Sequence, residues 1–198
     1  MRAWVARNVK RDLGDTTLTM LDNIERTAGE AADTLRQVMA DFASGVTIVT
    51  TVWEGVAHAM TATAFASVSL DPPLVLVCVS KSSRFHAAIT RAEYWVAALL
   101  SADQSWIARH FSNRGRDLST QFEGVPHTAS RLSGTPVVTG VLSWLECATD
   151  AMHDAGDHTI VVGRLVDGGP GSLLSPPASE SMKSGPLTYF RGTYSDAT

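Results

Sequence analysis

Residues 60–73 read MTATAFASVSLDPP, residues 74–79 read LVLVCV, and residues 80–84 read SKSSR. Three physically different pieces stand here in a fixed order. The first is strand-like and built from small and hydroxyl side chains. A Pro-Pro turn then feeds an unbroken apolar run, which reads as a buried strand. The third is cationic and rich in hydroxyls. A flat aromatic ring with a phosphate tail needs that order: backbone and small hydroxyls for the ring, positive charge and donors for the phosphate.

The flanking sequence predicts a mainly β domain. Upstream, Val46–Trp53 is β-branched, Glu54-Gly55 is a turn, and Val56–Thr63 reads as the return strand of a hairpin. Downstream, Arg84–Thr90 reads as a short helix and Tyr94–Leu100 as a strand. Ala102–Phe111 reads as a helix behind an N-cap at Ser101. Residues 113–136 are polar and irregular, and long enough to form a functional loop or lid. Val137–His153 is a long strand region broken near Gly140, with Gly156–Val166 as its partner. A Gly/Ser/Pro-rich loop follows over 168–185, and Leu187–Tyr194 reads as a closing strand. Strands outnumber helices and are joined by tight turns, which argues for an antiparallel barrel or sandwich with a few decorating helices.

Near the N-terminus, Leu35, Val38, Met39 and Phe42 recur at helical spacing and predict a helix over 31–42, stopped by Gly45. Residues 1–30 are mixed in charge and weakly patterned. They are assigned to an N-terminal extension, and residues 31–198 to one domain.

Composition bounds the function. The chain has 198 residues, 44% hydrophobic and 18% charged, which fits a single globular domain. A formal net charge of -4 disfavours a nonspecific grip on nucleic acid or an anionic membrane. No apolar run reaches the roughly 18 residues of a membrane span, and no apolar segment follows the basic N-terminus as in a secretory signal. Cys78 and Cys147 form neither a disulfide framework nor a metal spacing, and read as buried thiols of a reducing, cytoplasmic compartment. No Gly-x-Gly-x-x-Gly, Walker A loop or Gly-x-Ser-x-Gly elbow is present, so the usual nucleotide and hydrolase sites are not expected.

Four constellations can carry chemistry. The Thr61–Ser69 run is either a platform for a planar ligand or an ordinary half-buried strand. Ser80-Lys81-Ser82-Ser83-Arg84 is either a phosphate site at a helix start or a solvated capping loop. His153, Asp154, Gly156, Asp157 and His158 crowd a turn, which is a donor wall against a substrate, a metal site lacking a third ligand, or a plain polar hairpin. Leu187–Tyr194 brings three aromatics and an arginine to the chain end, to cover a ligand or to pack an edge strand.

In order and spacing, four segments resemble the short-chain flavin reductases, the reductase components of two-component flavin-dependent monooxygenases. They are FASGVTIVTT (42–51), MTATAFASVSLDPP (60–73), GDHTIVVG (156–163) and PLTYFRG (186–192). The resemblance covers about residues 34–194. It implies a split β-barrel, a six-stranded antiparallel Greek-key barrel with peripheral helices, which usually forms a homodimer. It implies hydride transfer from NADH, or NADPH, to FMN or FAD, and a diffusible reduced flavin delivered to a partner monooxygenase. Ala59, Met60, Thr61, Thr63 and Ala64 would hold the flavin ring. Ser80, Lys81, Ser82, Ser83 and Arg84 would hold its phosphate, and Phe111 would lie near the flavin. His153, Gly156, Asp157 and His158 would line the nicotinamide side, with His158 orienting the nicotinamide, and Tyr189 would cover the ligand. No protein group need act as a catalytic acid, base or nucleophile, and no metal is implied. Thr63 and Ala64 stand where relatives often carry Asn or Ser. The alternatives are a split-barrel oxidase that retains its flavin and a non-catalytic flavin- or haem-binding module.

Overall fold

The computed structural model describes residues 28–174 and 185–196. The chain divides into two compact units, residues 1–42 and 43–198.

The described part of the first unit contains helix α1 (Ala28–Ala40). It begins and ends earlier than the sequence predicts. The chain leaves the helix at Asp41 and Phe42, whose N–H groups still reach Val38 O and Met39 O at 3.2 Å. Gly45 does not stop the helix; it lies in a short strand. Leu35, Val38, Met39 and Phe42 are all at least half exposed.

The second unit is organised by one seven-stranded antiparallel sheet. Its strands are β2 (Thr47–Trp53), β3 (Val56–Ala62), β4 (Phe65–Leu70), β5 (Pro73–Ser80), β6 (Tyr94–Leu99), β9 (Ser143–Ala155) and β10 (His158–Pro170). The strand order is β3-β2-β6-β9-β10-β5-β4. Consecutive strands β3 and β4 therefore form opposite edges, yet Thr63 and Ala64 are all that separates them in the chain. A link that short forces the sheet to curl until its two edges face each other. The result is a barrel split along β3 and β4. The run from Met60 to Ser69, strand-like throughout in sequence, is thus two strands, with the break at Thr63-Ala64 beside the expected end of the return strand at Thr63.

Strand side chains alternate between faces, and both faces of the central strands are apolar. Ile48, Val96 and Ala98 enter one core with Ile107, Phe111, Val137 and Leu187. Val49, Trp95 and Ala97 enter a second core with Val77, Val79, Phe85, Ile89 and Val161. Gly163 is required where β10 crosses Trp95, since a Cβ there would lie 2.8 Å from Cys147 Cβ and deep in the indole. Buried threonines satisfy their hydroxyls on carbonyls: Thr47 Oγ1 donates to Ala62 O at 2.9 Å and Thr51 Oγ1 to Tyr94 O at 2.7 Å.

Two short helices pack on the sheet, α2 (Arg84–Ile89) and α3 (Ser105–Ser112). A 3-10 turn at Ala102–Gln104 precedes α3, so the expected helix over 102–111 is composite. Ser101 leads into it, its N–H bonded to Gln104 Oε1 at 3.2 Å. Within 113–136, β7 (His127–Ala129) pairs with β8 (Pro136–Val138). Residues 187–194 are not one strand either. β11 (Leu187–Phe190) turns at Arg191-Gly192, both at positive φ, into β12 (Thr193–Asp196). β1 (Ser44–Gly45) pairs with β11. Among the described residues no helix is long and apolar enough to cross a membrane.

Candidate functional site

A cavity of about 440 Å³ opens beside the edge strand β3 and the link that follows it, between the start of α2 and the loop after α3. That lies within the size range of small-molecule sites. Its floor is the strip from His58 to Ala64, including the two-residue link between the sheet edges. Alanines alternate here with Met60, Thr61 and Thr63, so a planar group can approach the backbone closely. The hydroxyl of Thr61 donates to Ala108 O of α3 at 2.7 Å, which leaves its lone pairs rather than its proton for a ligand. Phe111 and Phe85 lie almost wholly buried at the wall, where core and cavity meet. Cys78, partly exposed, also lines the cavity. Buried Cys147 does not; burial and neighbouring Glu146 push its thiol up to about 12, so it stays protonated.

One end of the cavity is cationic. Ser80, Ser82, Ser83 and Arg84 line it where β5 passes into α2. Ser83 Oγ accepts from His86 N at 3.1 Å and caps α2, while Ser80 Oγ and Ser82 Oγ lie 3.0 Å apart. Arg84 is exposed and makes no hydrogen bond or ion pair with the described residues. His58 closes the floor. Burial, and then the charge of Arg84, hold its imidazole below the usual histidine value. Its Nδ1 is buried without a hydrogen-bond partner.

The loop after α3 forms the facing wall and contributes Asn113, Arg114, Arg116 and Leu118. Arg116 is half buried and latched. Its Nη1 donates to His110 O at 3.2 Å, to Phe111 O at 2.6 Å and to Asn113 O, and its Nη2 to Ala59 O at 2.8 Å. Burial, reinforced by Arg84, lowers the Arg116 pKa below its usual value. Sequence reasoning flagged this loop by its length but named neither arginine; the available signal was two guanidinium groups within Asn113–Arg116. It also missed His58, whose place becomes visible only when the sheet curls.

The residues that the resemblance assigns to the nicotinamide side divide. His158, at the start of β10 and paired with Ser80 in register, lines the cavity. Its Nδ1 meets Asp157 Oδ1 at 2.7 Å. This contact, chiefly its hydrogen bond, depresses the exposed Asp157 carboxyl below the usual carboxylate range. Asp157, Gly156 and His153 do not themselves line the cavity. Lys81 is turned away from it too. Its Nζ donates to Gly156 O at 2.6 Å and forms an ion pair with Asp154, tying the β5–α2 loop to the β9–β10 turn. Tyr189 packs on Tyr194, with ring centroids 5.3 Å apart, beside the first core and outside the cavity lining. Among the described residues no cluster of three or more His, Cys, Asp or Glu could hold a metal.

A curled antiparallel sheet, split at a cavity with a small-residue floor and a cationic end, defines a split-barrel cofactor-binding protein. Comparison with known proteins makes the class specific. Residues 39–198 match the flavin reductase like domain, and the chain belongs to that family. It is 38% identical over 169 residues to the reductase subunit HsaB of a flavin-dependent monooxygenase from Rhodococcus jostii, covering 84% of this chain and 80% of that one. It is 41% identical over 149 residues to an NADH-dependent FAD reductase from Streptomyces globisporus, covering 75% of this chain and 79% of the relative. Among solved structures, the Streptomyces globisporus NADH:FAD oxidoreductase SgcE6 in complex with NAD and FAD fragments superposes with a TM-score of 0.75. That match has 32% identity and covers 88% of this chain and 97% of that one.

Proposed function

We propose that this protein is an NADH-dependent flavin reductase that supplies reduced FAD or FMN to a separate monooxygenase. The observation that carries the reading is the cavity. A floor of small residues runs into a cationic, hydroxyl-rich end, and no carboxylate of the described residues lines it although the chain is net acidic. The nicotinamide and flavin supply the chemistry themselves, a hydride passing from one ring to the other. The protein binds, orients and excludes. Ala59, Met60, Thr61, Thr63 and Ala64 present backbone to the flavin ring, and Ser80, Ser82, Ser83 and Arg84 receive its phosphate. His158, steadied by Asp157, orients the nicotinamide, while Lys81 holds the turn on which His158 stands. NADPH is the alternative donor. Residues 31–198 form the reductase domain, with 1–30 an extension, in a cytoplasmic homodimer. The exposed apolar face of α1 supports the dimer.

The test is a matrix of initial rates on pure protein, NADH and NADPH against riboflavin, FMN and FAD. Oxidation of NADH should depend on added flavin, and His158→Ala should raise the KM for NADH more than that for flavin. Flavin-independent rates throughout would refute the reading, and a selective rise in the flavin KM would remove His158 from the nicotinamide side.

A further inference from the structure

We propose that Arg114 is a flavin-specificity residue: its guanidinium takes the second phosphate of a flavin dinucleotide, so the cavity selects FAD over FMN. This rests on the flavin reductase reading above.

Two unpaired cations line the cavity from different elements. Arg84 opens α2 beside Ser80 and Ser82, and Arg114 stands exposed on the loop after α3. Neither donates a hydrogen bond to the described residues. A single terminal phosphate is served by Arg84 and its neighbouring hydroxyls. The second guanidinium is left over, and a guanidinium matches a further phosphate in charge and in bidentate geometry.

The loop is built to hold Arg114 in place. Arg116 fastens it from within, donating to carbonyls of α3, of Asn113 and of Ala59 on β3. Gly115 N–H donates to Asn113 Oδ1 at 2.9 Å and tightens the turn that carries Arg114. The one carboxylate of this turn, Asp117, accepts from Ser119 N at 2.9 Å and Ser119 Oγ at 2.8 Å and does not line the cavity. The charge of Arg84 is felt at both Arg116 and Asp117, which places this loop within range of the phosphate end. One arginine therefore serves as a latch. The other, two residues away, is presented to the cavity on a braced turn, which lowers the cost of ordering it on a ligand.

Binding is read without turnover, by quenching of flavin fluorescence on titration with protein. Wild type should bind FAD about tenfold more tightly than FMN, the order of one charge-assisted contact. Arg114→Ala should weaken FAD about tenfold and leave FMN within about twofold, with Arg114→Lys intermediate. Equal losses for FAD and FMN would reduce Arg114 to a general attraction and overturn the proposal, as would equal wild-type affinities. A change confined to the NADPH-to-NADH ratio of KM values would assign Arg114 to a nicotinamide 2′-phosphate and overturn it as well. Failure to bind any flavin, riboflavin included, would refute the functional reading itself.

Discussion

His58 shows how one side chain links the cavity to stability. It sits on β3 at the cavity floor, its ring centroid 6.4 Å from that of Trp53, with Nδ1 buried and unpartnered. Burial first, and the charge of Arg84 second, disfavour its protonated form. The unfolded chain then binds a proton at His58 more readily than the folded one does, below an ordinary value of about 6.5. By linkage the contribution of His58 is fully present above that value. It is lost as pH falls from it through the depressed folded value. The melting temperature of wild type should therefore drop as pH is lowered from 7 toward 5, and His58→Gln should show a shallower drop. Parallel curves for the two proteins would contradict the assignment. At this scale the sequence was partly legible. The Ser80–Arg84 loop could be named from its cations and hydroxyls, and His158 from the family resemblance; Ser80, Ser82, Ser83, Arg84 and His158 all reach the cavity. Lys81 could not be placed, because its ammonium is captured by Gly156 O and Asp154 across a β5–β10 pairing that no local pattern reveals.

Among the elements, the least regular one governs the site. The loop after α3 is joined to the barrel by Arg116, which spans from α3 carbonyls to Ala59 on the edge strand β3. Its guanidinium also lies 5.3 Å from the Phe111 ring centroid, so the link combines charge-assisted hydrogen bonds with stacking on the cavity wall. Removing it orphans several carbonyls at once and frees the loop. Arg116→Ala should lower the unfolding free energy by about 2–3 kcal/mol, the order of lost hydrogen bonds to a charged group. It should also weaken FMN and FAD together, unlike the selective effect expected at Arg114. Arg116→Lys, with a point charge and no fork, should rescue little. An unchanged denaturant midpoint in Arg116→Ala would show that the latch carries no load. The strands were the legible elements, because β-branched runs and turn residues set β2, β3, β5 and β6 locally. The end of the return strand near Thr63 was legible, but the corner at Thr63-Ala64 that sends the chain to the opposite sheet edge was not. Small residues allow continuous strand as readily as a corner, and what decides is that β4 pairs with β5 while β3 pairs with β2.

At the scale of the whole molecule, the unexplained surface lies on α1. Leu35, Val38 and Met39 are 62%, 63% and 50% exposed at the spacing of one helical face, and Phe42, just past the helix, is 65% exposed. The sequence predicted this face as apolar, and its side chains are exposed. A contiguous apolar stripe in water is costly unless another surface meets it, and a second copy supplies an identical stripe on a two-fold axis. The proposed homodimer accounts for the pattern without any change to the barrel. Gel filtration with light scattering should give twice the 21.1 kDa of one chain. Leu35→Glu combined with Val38→Glu should shift the mass to that of one chain while the far-ultraviolet circular dichroism of the β-sheet persists. The paired substitutions lie on α1 and neither residue lines the cavity, so flavin fluorescence titration separates loss of assembly from loss of the site. A wild-type protein that runs as one chain at micromolar concentration, or a double variant that still dimerises, would show that α1 is not the assembling face.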